Sequence, residues 1–211
     1  MIEVILSLLF GVLVLFYLEL QHRKGKLSTE SSRKILHVVT GLILVTWPFF
    51  VDWYVIFIVE IIYLVVAMLV RKFMPFESQH KVARKSWGEF FYSFGVIFSI
   101  LLGAPRWIFV VAILHLALAD AAAALIGVRY GKNTKYSVFG QNKSMVGSAA
   151  FFAVSLLIVG LTFVFVPGYI TADIKLRLLL LPFITTAVEN IGAYGTDNFL
   201  IPVATILLLG V

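Results

Sequence analysis

Apolar residues run in long blocks along this chain, separated by short polar stretches that alternate between basic and nearly neutral. An α-helix needs about 20 apolar residues to cross a hydrocarbon core of ~30 Å. Blocks of this kind lie at 2–21, 34–51, 53–70, 87–103, 106–127, 146–166, 175–191 and 198–211. The last holds only 14 residues, so it is either a short span or one cut off where the sequence stops. The pattern predicts an all-α fold, a polytopic helical bundle of about eight transmembrane helices. Eight spans leave no room for a soluble domain, so residues 1–211 read as one integral membrane domain. Glu3 precedes the first span, and Arg23, Lys24 and Lys26 follow it without a small-residue cleavage site, which reads as a retained anchor.

Composition agrees, with 61% hydrophobic and 13% charged residues. A net charge of +6 raises the question of nucleic acid, and its distribution answers it. Fourteen of the 17 Lys and Arg residues fall within 23–34, 71–85 and 129–143. Only Arg106, Lys175 and Arg177 lie near the opposite span ends. By the positive-inside rule the basic segments face the cytoplasm and both termini lie outside. Anionic membrane lipids on that face attract the same segments, and no basic surface remains for a duplex. With no cysteine, the chain has neither disulfides nor thiol catalysis.

The longer polar segments 22–33, 71–86 and 128–145, with the turn 192–197, all belong to the basic side, which is where chemistry is expected. Asp120 is an acid inside an apolar helix, and an ionisable group there points to function. It is followed by the small residues Ala123, Ala124 and Gly127, a face that also suits close helix packing. Arg33, Lys34 and His37 open the second span at spacings of three and four, on one side of a helix. The segment 128–145 reads as a loop without a Walker A sequence or GxGxxG. The amides of Gly131 and Gly140 would form an anion-binding concavity there, with Lys132, Lys135 and Lys143 as point charges. Ser144, Gly147 and Ser148 close that loop at the mouth of the next span. Glu189-Asn190 and Asp197-Asn198 flank a glycine-bearing turn and offer oxygens of the kind magnesium accepts. Asp197 or Asn198 also suits a helix cap. Glu89 is a weaker candidate. His22, His80 and His115 read as structural. An acid beside a basic, glycine-punctuated segment suits a polyphosphate carrying Mg²⁺.

Taken together, RKILH at 33–37, the run from Asp120 through Gly127 to Gly131, KSMVGS at 143–148 and TDNFLIP at 196–202 resemble the polyprenol kinase family. That family comprises phytol, farnesol and dolichol kinases and CTP-dependent diacylglycerol kinases, and is related to phosphatidate cytidylyltransferases. The resemblance runs from about Arg33 to Pro202, with Ala119-Asp120 where the family usually has Gly-Asp. It implies phosphoryl transfer from CTP to the hydroxyl of a membrane lipid alcohol, with Mg²⁺ as cofactor. In that reading Asp120, Arg33, Lys34, His37 and Lys143 are catalytic. Gly127, Gly131, Lys132, Lys135, Ser144, Gly147 and Ser148 bind nucleotide, and Asp120, Glu189, Asp197 and Asn198 hold metal. Cytidine as the base comes from the resemblance alone. The rival functions are CDP-lipid synthesis and membrane transport, the latter disfavoured because the acids cluster at one face.

Overall fold

The computed structural model describes residues 2–73 and 87–210, and the part of the basic segment 71–86 beyond Phe73 lies outside them. Helices occupy each of the eight apolar blocks: α1 (Ile2–Arg23), α2 (Thr29–Thr46), α3 (Trp53–Phe73), α4 (Gly88–Leu101), α5 (Arg106–Leu114) continuing into α6 (Asp120–Tyr130), α7 (Met145–Phe165), α8 (Ala172–Ile191) and α9 (Asp197–Gly210). Four of these rods are long and apolar enough to cross a membrane: α1, α3, the continuous α5–α6 rod of 25 residues, and α7. The chain is a helical membrane bundle. Helix α9 has 14 residues, matching the short final block.

The α5–α6 rod is the hub. About two-thirds (67%) of its apolar window is buried, against 11% for α3 and 17% for α1, so those two face lipid. Around the hub, α2 packs on α5 and α6, α6 on α7, α7 on α8, and α9 on α4, α5 and α8. The core is formed by Val96, Ile108, Phe109, Ile113, Leu116, Leu178 and Leu181, all almost fully buried. Small residues set the closest crossings, as expected where apolar surface alone gives helices no reason to prefer one another to lipid. Gly41 faces Ala117, Gly127 faces Gly147, and Gly95 faces the carbonyl of Asn198.

Hydrogen bonds and ring contacts gather the loops at two ends. At one end Trp87 N–H donates to the Tyr194 carbonyl (2.9 Å) and Asn198 Nδ2 to the Gly88 carbonyl (2.8 Å). Arg71 reaches Glu89 there at 2.9 Å and covers the Trp87 ring. At the other end Arg106 lies over the Phe49 ring, and Trp107 faces Tyr169. Lys143 reaches Glu189 of α8 at the first end and Arg33 lies within the electrostatic reach of Asp197, so the basic segments in the described residues share that end.

Residues 135–144, read above as loop, fold instead into an antiparallel hairpin of β1 (Lys135–Val138) and β2 (Gln141–Ser144). Val138 pairs with Gln141 across a two-residue turn whose residues, Phe139 (φ 48°) and Gly140 (φ 75°), are both left-handed. That is the turn whose twist matches paired strands. The sequence masked it because a bulky Phe stands where Asn or Asp usually does. The Gly131 amide closes the end of α6 by donating to the Gly127 carbonyl (2.9 Å), so it is not free to line a concavity.

Two glycine substitutions test the crossings. A Cβ on Gly95 would lie 2.5 Å from the Asn198 carbonyl oxygen and 2.9 Å from Pro202, whereas one on Gly160 meets nothing within 4 Å. Gly95→Ala is expected to destabilise the bundle by about 1–3 kcal/mol. Gly160→Ala should be neutral or stabilising by about 0.5–1 kcal/mol. Thermal unfolding in detergent compares them, and equal melting temperatures would contradict the α4–α9 contact.

Candidate active site

The first half of the site is an ion pair between α2 and the hub. Ser28 caps α2 by accepting from Ser31 N–H at 3.1 Å, fixing where the helix begins. Lys34 and His37 then fall one turn apart on the face that meets the hub. The facing stretch, His115–Ala119, is a π-helical turn. Such turns often accompany functional sites. Within it Asp120 N–H reaches back to the His115 carbonyl, and the Leu116 carbonyl takes a 2.9 Å hydrogen bond from His37 Nε2. A carbonyl only accepts, so Nε2 carries the hydrogen. Lys34 Nζ bonds Asp120 Oδ2, and His37 Nε2 lies 3.5 Å from the same oxygen. Both side chains of the Lys34–Asp120 pair are 4% exposed. Arg33, expected on the same side, instead pairs with Glu30 at 2.8 Å, one turn back along α2. It still lies within the electrostatic reach of Asp120 and Asp197.

The second half is built by the hairpin. Its register sets Tyr136 opposite Lys143, so both side chains leave the same face of the ribbon. That face meets the end of α8. Lys143 Nζ donates to Glu189 Oε1 at 2.7 Å and to the Glu189 backbone carbonyl. Tyr136 bonds Ser148 Oγ (2.7 Å) and Asn190 Oδ1, and Ser148 donates to the same amide oxygen at 3.0 Å. The charges of Lys143, Asp120 and Asp197 all act on Glu189, so the two halves form one electrostatic neighbourhood.

The small residues between the halves serve packing. Ser144 Oγ caps α7 by accepting from Gly147 N–H at 3.1 Å. A Cβ on Gly131 would lie 2.3 Å from that oxygen, and one on Gly147 would lie 2.8 Å from the Ala123 carbonyl. Glycine at these positions lets α6, α7 and the hairpin close on one another. Lys132 and Lys135 are exposed. Asp197 Oδ1 accepts from Asn198 N–H at 3.1 Å in the first turn of α9. Two oxygens, Glu189 Oε2 and Asn198 Oδ1, are buried and lack a hydrogen bond among the described residues. No three His, Asp or Glu side chains converge on one point among those residues. His115, read above as structural, bonds the Val111 carbonyl (2.8 Å) and Ser155 Oγ (2.7 Å), stitching the hub to α7. His22 contacts the Leu27 carbonyl, and His80 lies outside the described residues.

Sequence reasoning overlooked Tyr136, whose role depends on a hairpin register that shows no clear strand alternation. It also overlooked Glu60 and Tyr92. Glu60 was detectable, because it interrupts the run VIFIVEIIYLVV just as Asp120 interrupts its own.

The ion pair has a measurable stability signature. Asp120→Asn leaves Lys34 buried without a counter-charge, which costs about 3–5 kcal/mol. Replacing both, as Lys34→Met with Asp120→Leu, should recover most of that stability. Melting temperatures of the single and double variants decide it. A single variant as stable as the unmodified protein would contradict the pair.

No family model matches the chain, and no solved structure matches it. A phytol kinase from Synechocystis sp. is 28% identical over 197 residues, covering 90% of this chain and 82% of the relative. The chain is thus related to the polyprenol and phytol kinase family.

Proposed function

We propose that the chain is a lipid-alcohol kinase that transfers the γ-phosphoryl group of CTP to the hydroxyl of an isoprenoid alcohol. Its similarity to a phytol kinase supports a kinase acting on a lipid alcohol. The observation that carries the site assignment is the pair of lysine–carboxylate contacts, Lys34–Asp120 and Lys143–Glu189, at one end of an apolar bundle. Phosphoryl transfer asks little covalent help of a protein and much positioning and charge neutralisation. Each ion pair holds a cation ready for a phosphate oxygen, and a carboxylate ready for the magnesium that accompanies a nucleotide. Magnesium commonly keeps several waters and takes one or two carboxylates plus substrate phosphates. Asp120, Glu189 with its unpartnered Oε2, and Asn198 with its unpartnered Oδ1 suit that partial role. Asp197 lies beside them. Bound there, the ion would neutralise charge on the phosphates.

The protein's own residues do the rest. Arg33, Lys34 and Lys143 supply positive charge from two directions. His37, held by Leu116, keeps the Lys34–Asp120 geometry from collapsing. The hairpin, tied down by Tyr136, Ser148 and Asn190, places Lys143. The alcohol oxygen attacks the γ-phosphorus and loses its proton to water, the bond to the bridging oxygen breaks, and CDP leaves. We place this end of the bundle at the cytoplasmic face, where the nucleotide is found. The lipid reaches it sideways from the bilayer.

Labelled CTP supplied to the purified chain with phytol separates the possible activities. CDP with phytyl phosphate supports the kinase. Pyrophosphate with a CDP-lipid, made from a lipid phosphate, would support the cytidylyltransferase instead, and absence of turnover would reject both. Lys143→Ala should raise the KM for CTP roughly 10- to 150-fold, the effect of a lost charge-assisted contact. The KM for the alcohol should change little. A raised KM for the alcohol with an unchanged KM for CTP would remove Lys143 from the phosphate site.

A further inference from the structure

Helix α3 lies on the lipid-facing side of the bundle and buries only two residues, Ile56 and Glu60. A glutamate in one of those two positions is expensive in a hydrocarbon setting, where such groups usually pair or line a pathway. Glu60 is only 7% exposed, and no ion pair to it is found among the described residues. Its neighbours on α4 are polar too. Ser93 is fully buried near the carboxyl, and Tyr92 is 7% exposed within its electrostatic reach. Glu60 Oε2, Ser93 Oγ and Tyr92 OH each lack a hydrogen bond of good geometry among the described residues, with Ser93 the polar neighbour of Glu60 and Thr40 that of Tyr92. Leaving such groups unsatisfied is costly, because each has given up its water. Three together, from two adjacent helices, mark a place that receives a polar group rather than a packing defect.

The position connects to the site. The Tyr92 ring meets the His37 ring edge-on at 4.9 Å, and His37 contacts Asp120. Tyr63, one turn along α3 from Glu60 and exposed on the lipid side, also lies within reach of the carboxyl. The cluster thus stands between the bilayer and the charged end.

We propose that Glu60, Tyr92 and Ser93 form a hydroxyl-binding pocket that receives the alcohol end of a lipid entering from the bilayer between α3 and α4. A hydroxyl offers one donor and two acceptor positions. It donates to Glu60 and accepts from both Tyr92 and Ser93, so one group serves all three atoms. A hydrocarbon or an ether of the same length cannot do this. The identification of that lipid as the phosphoryl acceptor rests on the kinase reading above, whereas the pocket itself does not.

Binding without nucleotide tests the pocket separately. The full chain in nanodiscs is titrated with tritiated geranylgeraniol, and displaced with unlabelled geranylgeraniol or its methyl ether. The alcohol should bind roughly 10-fold or more tightly than the ether, as expected when the ether leaves a buried polar group unsatisfied. Glu60→Leu should erase that preference while the melting temperature holds or rises, because an unsatisfied carboxyl has been removed. Tyr92→Phe should weaken it, and Lys143→Ala should leave it intact. Equal binding of alcohol and ether by the unmodified protein would overturn the proposal, with water alone satisfying the cluster. So would a preference that survives both Glu60→Leu and Tyr92→Phe. Glu60-dependent binding without phosphoryl transfer would uphold the pocket and remove the kinase. Turnover whose alcohol KM ignores Glu60→Leu would remove the pocket and leave the kinase standing.

Discussion

Lys34 and Asp120 stand 86 residues apart in the chain, yet their side chains meet in a place almost without solvent. Neither charge is tolerable there alone, since an unpaired ion in a low-dielectric interior costs several kcal/mol. Their contact therefore fixes how α2 sits on the hub. It sets the depth of His37, whose hydrogen bond to Leu116 depends on the π-helical turn. Through His37 it also positions Tyr92 of α4. A buried ion pair adds little net stability compared with an apolar pair of the same shape. Under the proposed function it persists as a stored charge arrangement, one that a phosphate and its metal would re-partner.

The second pair, Lys143 with Glu189, repeats this logic with different scaffolding. Here the lysine sits on a two-stranded ribbon rather than a helix. Three hydrogen bonds among Tyr136, Ser148 and Asn190 hold the ribbon against α7 and α8. Glycines at 127, 131 and 147 bring the backbones close enough for this to happen. Opposite the charged end, the bundle offers short turns and few charges, among them Arg106 over the Phe49 ring and the Asp173–Arg177 pair at the surface. The polarity of the molecule along its axis thus follows from where its few charges can be compensated.

The helices were legible in the sequence because hydrocarbon-spanning blocks must be long and apolar, and little else produces such blocks. Asp120 was legible for the complementary reason, as a charge that such a block should not contain. Lys34 and His37 followed from helical spacing. Glu60 obeyed the same rule as Asp120 and likewise precedes a basic segment, so it was open to the same reading. The hairpin was not legible. Four-residue strands carry too short a pattern, and Phe139 in a left-handed turn is sterically unusual. Arg33 shows the limit of spacing arguments, since Glu30 one turn earlier competes for it.

Charge compensation at one end of the bundle is the central claim, and a nucleotide complex tests it most directly. The chain would be imaged by cryo-electron microscopy in nanodiscs with a non-hydrolysable CTP analogue and magnesium. The account predicts triphosphate density between Lys34 on α2 and Lys143 on the hairpin, with both lysines turned from their carboxylates toward phosphate. Nucleotide bound elsewhere, or both ion pairs unchanged beneath it, would contradict the account.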